Sequence, residues 1–186
     1  MTQLHTASGK RRLRELIGAF LKDTNGANAV EFAIIAAPFL ALSVGIIQIF
    51  LVFFGQQLLE QVVMQAGRQI MTGQVQTSGM TQTQFANLVC TQVRIIFNCN
   101  GLMVNVASSS SWSTASTATP TVTFDSNGNV TNTWSYSPGS PGDKVVVEVM
   151  YQWPVFMGPL GFTLATLPNG NRLLMASAAF QNEPYQ

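Results

Sequence analysis

Residues 23–54 read DTNGANAVEFAIIAAPFLALSVGIIQIFLVFF, and this stretch decides the fold of the chain. The run from Phe32 to Phe54 contains 23 residues and no Asp, Glu, Lys, Arg or His. At about 1.5 Å per residue, a helix of this length crosses a hydrocarbon core of about 30 Å with some tilt. One acid, Glu31, stands directly before the run, where a carboxylate facing lipid costs free energy and requires a partner. The stretch therefore predicts a single transmembrane helix.

Charge is distributed unevenly on the two sides of this span. Residues 1–26 carry five basic side chains against two acidic ones, whereas residues 27–186 carry four basic against six acidic. Because basic residues close to one end of a span keep that end in the cytoplasm, the C-terminal part is predicted to lie outside, which is the periplasm if the source is a Gram-negative bacterium. The basic cluster at 10–14 could instead bind nucleic acid. Topology already explains that cluster, so no nucleic-acid partner is predicted.

The helix is predicted to continue beyond the membrane and to stop at Gly73. Apolar residues recur at helical spacing after the span, with polar residues between them. They are Leu58, Leu59, Val62, Val63, Ala66 and Ile70. A second helix is predicted after Thr81, because Thr81 and Gln84 form the sequence of a capping box.

The rest of the chain changes to a period of two, which indicates strands. Residues alternate from Leu102 to Val106, and the strongest pattern runs from Val145 to Trp153, with Glu148 on the opposite face from Val147 and Val149. A loop is predicted over 108–119, a hairpin between 121–124 and 130–134, and a last strand over 173–180. The predicted fold class is α+β: a long N-terminal transmembrane α-helix extends out of the membrane, followed by a small domain of one helix and an antiparallel β-sheet.

The residues at the start of the span resemble a type IV prepilin-like leader junction. Gly26 and Ala27 are followed by an acid at Glu31 and an aromatic residue at Phe32, five and six positions after the glycine, and then by an apolar helix. In these features the chain is most similar to the TadE-like family of minor pseudopilins from the Tad (Flp) pilus assembly system. Weaker matching pieces lie at 66–68, 72–74, Cys90, Cys99 and 182–184. Gly67 departs from the pattern, which leads us to expect Ala there.

The resemblance implies a subunit that a prepilin peptidase cuts between Gly26 and Ala27. Residues 1–26 would be a cytoplasmic basic leader, residues 27–73 the transmembrane and extended helix, and residues 74–186 a periplasmic α+β domain. The implied partners are the peptidase, other pilin-like subunits, inner-membrane pilus assembly proteins and membrane lipid. The protein would be a single-pass protein of the bacterial inner membrane that could also enter an extracellular pilus. The implied cellular roles are adhesion and biofilm formation.

Glu31 is the predicted subunit-assembly residue, together with Phe32. Cleavage would give Ala27 a free ammonium group at the membrane edge, and Glu31 of a neighbouring chain could pair with it, as the resemblance also implies. A low local dielectric strengthens such a pair, while dehydration offsets much of the gain, so its chief use would be to fix the offset between subunits. In the alternative interpretation, Glu31 is an interfacial residue whose carboxylate reaches toward water.

A row of small residues along the span is a predicted helix-packing surface. Such a row lets another helix approach closely, although it spirals on an ideal helix, and part of it could arise by chance because Ala is common in membrane helices. Its members recur every four residues: Ala29, Ala33, Ala37, Ala41 and Gly45. Pro38 lacks a backbone N–H and should kink or loosen the helix near Ile34.

Cys90 and Cys99 both fall on the predicted outer side. An even number of cysteines in an oxidising compartment favours a disulfide, which we predict between them, with two reduced thiols as the alternative. No metal site is predicted, because His5 is the only histidine and lies on the other side of the span. No cofactor is predicted either.

Residues suited to catalysis are nearly absent from the outer part, so the protein is predicted not to be an enzyme. Without histidine it has no Ser-His or Cys-His dyad. Asp125 and Asp143 lie among Asn, Gly and Pro, where Asp usually serves the backbone of a turn. Arg68 is interpreted as structural, either paired with Glu60, Asp125 or Glu148 or facing water.

Two rival functions stand beside the pilin-like subunit. The first is an uncleaved, signal-anchored periplasmic adhesin or glycan-binding module, in which the Ser/Thr-rich stretch and Trp112, Trp134 and Trp153 contact glycan, although packing is the more usual role of such rings. The second is an anchored envelope hydrolase that uses a carboxylate pair from Asp125, Asp143 or Glu148.

Overall fold

The computed structural model describes residue 18, residues 25–156 and residues 161–185, except 117, 119 and 127. These residues form helix α1 (Asn25–Met71), helix α2 (Gln74–Thr77), helix α3 (Gln82–Val93), a 3₁₀ turn (Cys99–Gly101) and strands β1 (Leu102–Ser109), β2 (Lys144–Trp153) and β3 (Arg172–Gln181). A long apolar helix followed by a shorter one and an antiparallel sheet confirms the predicted α+β class. Residues 1–17 and 19–24 of the predicted leader lie outside the described residues.

The chain divides into two compact units, residues 1–45 and residues 46–186, and α1 begins in the first unit and ends in the second. Every described side chain of the first unit is exposed or half-buried. Large apolar side chains there include Phe32 and Phe39, which are 74% and 65% exposed. The helix is continuous through Pro38.

In the second unit, α1 supplies one side of a hydrophobic core. Leu59, Val63, Ala66 and Ile70 are completely buried, and their spacing of three or four residues places them on one helix face. That face packs in one cluster with Phe85 and Val89 of α3 and with the inner face of the sheet. The predicted apolar stripe beyond the span is therefore confirmed as core.

Local signals end α1 and begin α3 where the sequence predicts. Gly73 adopts a left-handed φ of 78°, and its N–H donates to the carbonyl oxygen of Ile70 at 3.0 Å. At the start of α3, the N–H of Gln84 donates to the Thr81 hydroxyl at 3.3 Å, and the N–H of Thr81 donates to Gln84 Oε1 at 2.8 Å. These two reciprocal bonds form the predicted capping box.

In the described residues, the three strands form one antiparallel sheet in the order β1-β2-β3. Val147 of β2 lies opposite Val106 of β1 and Ala178 of β3, and this register places Val145, Val147 and Val149 on the core face. The other face of β2 is also buried at Val146, Glu148 and Met150. The central strand β2 is thus buried on both faces. The alternation in the sequence predicts which residues share a face, but it does not predict that both faces are buried.

Two loop predictions need correction. Strand β1 continues through Ser108 and Ser109, because both pair with the start of β2, so the loop begins later than predicted. The segments of the hairpin predicted between 121–124 and 130–134 do pair antiparallel, through the bridge between Phe124 and Val130 and the bond from the Thr131 N–H to the Thr123 carbonyl oxygen at 2.9 Å, but the pairing is shorter than predicted.

The chain that follows this bridge pairs with β1. The N–H of Val106 donates to the carbonyl oxygen of Ser135 at 2.9 Å, and the N–H of Ser137 donates to that of Val106 at 2.8 Å. This parallel pairing covers the outer edge of β1, so the chain that leaves the short hairpin also extends the sheet.

Candidate assembly site

The predicted processing and assembly residues lie in the first turns of α1. Gly26 is exposed, and a Cβ added there would meet no atom within 4 Å. Glu31 and Phe32 are also exposed, and among the described residues none forms a hydrogen bond or an ion pair with Glu31. The carboxylate of Glu31 is therefore accessible to a partner from outside the described residues.

The row of small residues is accessible as well. Ala29, Ala33 and Ala37 are exposed, while Ala41 and Gly45 are half-buried. A Cβ added at Gly45 would find open space within 4 Å. The row is therefore an unoccupied surface of the first unit, and the helix packing assigned to it stays a prediction.

One helix in the described part of the chain is long and apolar enough to cross a membrane, and it covers residues 28–71 of α1. The window that qualifies it has none of its side chains buried within the protein. An apolar helix that no protein packs against is typical of a membrane span, whereas the core helix of a soluble protein is largely buried.

Beyond the span, the small residues of α1 allow close packing within the protein, because β3 and the C-terminal tail lie directly against the helix there. A Cβ added at Gly67 would lie 2.9 Å from Phe180 Cε1 and 3.6 Å from Ala178 Cβ. The N–H of Glu183 donates to the carbonyl oxygen of Met71 at 2.8 Å. Gly67, which departs from the family pattern, is thus the residue that lets this helix approach the ring of Phe180.

Asn182 holds the end of β3 in place. Its side chain is 2% exposed, and Nδ2 donates to the carbonyl oxygens of Pro138 and Ser140 at 2.9 and 3.1 Å. Of the weak sequence matches, Gly67 therefore lies against β3, and Glu183 bonds to the last residue of α1. Their contacts indicate a structural role there.

Cys90 and Cys99 form the predicted disulfide, with their Cα atoms 5.5 Å apart. Cys90 lies near the end of α3, and Cys99 begins the 3₁₀ turn that leads into β1. The bond therefore ties the helix to the first strand across the short segment that includes the buried ring of Phe97.

The acids proposed for hydrolysis are occupied in separate structural roles. Asp125 Oδ1 accepts the N–H of Asn129 at 2.8 Å, and Asp143 Oδ2 accepts the N–H of Ser140 at 2.8 Å, as expected for turn residues. Glu148 is 4% exposed, and its Oε2 accepts from Asn105 Nδ2 at 2.8 Å. In the described residues, no cluster of His, Cys, Asp and Glu could hold a metal ion. The contacts of these three acids are those of turn and sheet residues.

The tryptophans predicted for glycan stacking differ in their surroundings. Trp153 packs edge-on against Phe97, with ring centroids 5.6 Å apart, and against Tyr151 at 6.4 Å. Trp112, which is 51% exposed, follows the end of β1, and Trp134 is half-buried. The ring of Trp153 therefore belongs to a packed aromatic cluster.

Arg68 lies at a groove between α1 and the outer edge of β3. The groove has a volume of about 700 Å³, and Met64 and Ser177 also line it. None of the described residues forms a hydrogen bond or an ion pair with the guanidinium of Arg68, while the carboxylate of Glu60 accepts from Gln56 Nε2 at 2.8 Å. Of the alternatives for Arg68, the side chain facing water is therefore the one observed.

The comparison with known families identifies the helical part of the chain. Residues 26–68 match the family model described as TadE-like protein. The chain contains a TadE-like domain. No curated protein and no solved structure matches the chain. The TadE-like match begins at Gly26, includes the junction, the apolar span and the row of small residues, and ends at Arg68. TadE-like proteins are a pilin-like family and not a family of enzymes, and the sheet of the second unit lies beyond the matched residues.

Proposed function

We propose that this protein is a minor pilin-like subunit for assembly of a Tad (Flp) pilus, used in adhesion and biofilm formation. The observation that supports this function best is the TadE-like match over residues 26–68, which begins at the glycine of the leader junction. Helix α1 supplies an apolar span with its own exposed surface, as a subunit that meets other membrane helices requires. Its partners would be other pilin-like subunits and inner-membrane assembly proteins.

In this proposal, a prepilin peptidase cuts between Gly26 and Ala27 on the cytoplasmic side. The exposure of Gly26 at the start of α1 suits a bond that a protease must reach, although its helical conformation requires the first turn to open before cleavage. A fraying first turn costs little, because its N–H groups have no partners within the helix. The mature protein would begin at Ala27 and keep α1 in the inner membrane, with the sheet in the periplasm.

Glu31 would then recognise the new terminus of an adjacent subunit. The ammonium group of Ala27 and a carboxylate 4 Å away attract each other by roughly 4 kcal/mol at an effective dielectric of 20, before dehydration is subtracted. The net gain is smaller, because both groups lose water. An unpaired carboxylate at the membrane edge is penalised, so subunits that add at any other offset are disfavoured.

The row from Ala29 to Gly45 would be the surface through which α1 packs against a neighbouring helix. Its members are the smallest side chains of the span, and none of them is fully buried. Close backbone approach at such a row gains van der Waals contact, which drives helix association in lipid. Phe32 would lie beside the paired charges and exclude water from them.

The decisive experiment measures the mass of the N-terminus after extraction from membranes, in cells with and without the prepilin peptidase. We expect Ala27 as the first residue only when the peptidase is present. Replacing Gly26 by Val should leave the full-length chain uncut, and Gly18→Val, at an exposed glycine of the leader, is the matched control that should still be cut. An intact leader in peptidase-containing cells would refute the processing step.

A second experiment tests the role of Glu31 separately. Glu31→Gln should be cleaved and abundant but should assemble far fewer pili, because the neutral amide cannot pair with the ammonium group. Glu60→Gln, at an exposed position of the same helix, is the matched control and should assemble normally. Wild-type numbers of fibres from a correctly trimmed Glu31→Gln subunit would exclude the proposed pairing.

One observation supports the rival function, an uncleaved adhesin. The Ser/Thr-rich segment after β1 carries Trp112 with half of its surface exposed, and an exposed indole beside hydroxyl groups suits glycan stacking. The mass measurement separates the two functions, since the adhesin would retain its leader.

A further inference from the structure

An apolar surface projects from one end of the sheet in the second unit. Strand β2 ends at Trp153, and the residues we call the apolar loop, 154–156 and 161–162, follow it. Phe156 is 74% exposed and Phe162 is 44% exposed. Two such rings in water cost free energy, so their exposure calls for a covering that the described residues do not provide.

The neighbours of this loop belong to the end of the apolar run of α1. The loop borders a cavity of about 90 Å³ whose other wall is formed by Gln48, Leu51 and Val52 of α1. These residues belong to the last turns of the uncharged run that ends at Phe54. Phe50 and Phe53, on the same turns, are themselves 63% and 62% exposed. The apolar loop therefore lies beside a part of α1 that is assigned to the membrane span.

An aromatic cluster next to the loop holds the end of β2 close to α1. Phe97 packs edge-on against Tyr151, with ring centroids 4.8 Å apart, and Trp153 packs against Phe97. A Cβ added at Gly55 would lie 3.3 Å from Trp153 Cζ3 and 3.6 Å from Phe97 Cζ. The cluster thus holds the end of β2 against α1 one residue after the span ends, and Phe156 follows only three residues later.

Charge around the loop agrees with a lipid surface. Between Val149 and Asn182, Arg172 is the only acidic or basic residue in the sequence. It begins β3 directly opposite Trp153, and its Nη1 donates to the carbonyl oxygen of Leu164 at 3.3 Å. A single cation beside apolar and aromatic side chains complements lipid phosphates above a hydrocarbon layer.

We propose that the apolar loop is a second membrane-contacting element, whose Phe156 and Phe162 rings enter the leaflet on the side of the sheet, next to α1. The inference rests on the proposed function only in that α1 spans a bilayer. The second unit would then be held on the membrane at two points, α1 and the loop. Its sheet would keep a fixed orientation to the bilayer before any partner binds.

The test measures the depth of three nitroxide labels on the full-length chain in phosphatidylcholine–phosphatidylglycerol nanodiscs. Single cysteines are introduced as Phe156→Cys, Phe39→Cys within the span, and Ser140→Cys in the turn before β2, while the Cys90–Cys99 disulfide stays oxidised. Strand β2 is about 30 Å long, so Ser140 lies far from the loop. Collision rates with oxygen, which concentrates in lipid, and with a water-soluble nickel chelate are compared at each site. All three positions are exposed, so the labels should not disturb folding.

We expect the ratio of oxygen to nickel collisions at position 156 to be severalfold higher than at position 140 and to approach that at position 39. A lipid-like ratio at 39 with a water-like ratio at 156 would overturn the inference and leave the proposed function intact. A label at 156 that neither reagent reaches would mean that protein covers the loop, which also overturns the inference. A water-like ratio at 39 would overturn the inference together with the proposed span.

Discussion

The two halves of α1 both carry large apolar side chains, but those of the first half form an uncharged run and those of the second form a stripe between polar residues, and their surroundings are opposite. In the first half, Phe32 and Phe39 are largely exposed, whereas in the second half Leu59, Val63 and Ile70 are completely buried. The second half packs on a sheet that the same chain provides, and the first half finds no such surface among the described residues. The comparison teaches that the distribution of apolar residues around a helix indicates what covers it, which is protein on one face for the striped half and, in our proposal, lipid and neighbouring helices for the half without charges.

The largest expected effect compares two leucines of α1. Leu59→Ala should destabilise the second unit by about 2–5 kcal/mol, because Leu59 is completely buried and its removal leaves a cavity. Leu42→Ala, at a position that is 64% exposed, is the matched control and should leave that unit's stability unchanged. Denaturant unfolding of the detergent-extracted protein, followed by near-ultraviolet circular dichroism, measures both. Equal losses at the two positions would contradict the comparison.

The disulfide should matter only to the half of the molecule that contains the sheet. The double variant Cys90→Ser, Cys99→Ser should destabilise the second unit by roughly 2–3 kcal/mol, because the bond limits the freedom of the unfolded chain. The variant should remain in the membrane fraction, since the span does not depend on the bond. Adding a reductant to the wild type should produce the same loss of stability, and adding it to the variant should produce none. An unchanged unfolding midpoint would refute this role.

Two glycines of α1 sharpen the comparison further. Gly67→Ala should lose some or all of the about 1 kcal/mol that Ala gains over Gly inside a helix, because the added Cβ would press on the ring of Phe180. Gly45→Ala adds the same methyl group in open space and should not destabilise the protein. Thermal unfolding of both variants measures the difference. Combining Gly67→Ala with Phe180→Leu should recover part of the loss if the ring contact is its cause.

The smallest expected effect concerns the cap of α3. Thr81→Ala removes the hydroxyl that accepts the N–H of Gln84 and should cost about 1 kcal/mol. Thr81→Ser keeps the hydroxyl and should retain most of the stability. Denaturant unfolding can resolve this difference, and equal losses in Ala and Ser variants would show that the hydroxyl is not responsible.

Structural features that depend on residues close together in the sequence could be predicted from it. The capping box at Thr81, the end of α1 near Gly73 and the disulfide between Cys90 and Cys99 are all observed. Each depends on residue types a few positions apart. The hairpin predicted between 121–124 and 130–134 is observed as a short antiparallel pairing around Phe124 and Val130, but local sequence did not predict that the chain after it pairs with β1, which is distant in the sequence.

The sequence by itself determined the position of the apolar helix and the helix and strand order that follows it, because these follow from periodicity and local chemistry. Only the tertiary structure decided that Glu148 is buried beside Asn105, that Gly67 receives Phe180, and that the apolar loop lies against the last turns of the span. These contacts join residues far apart in the chain. Their geometry depends on how helices and strands pack, which a pattern of neighbouring residues does not record.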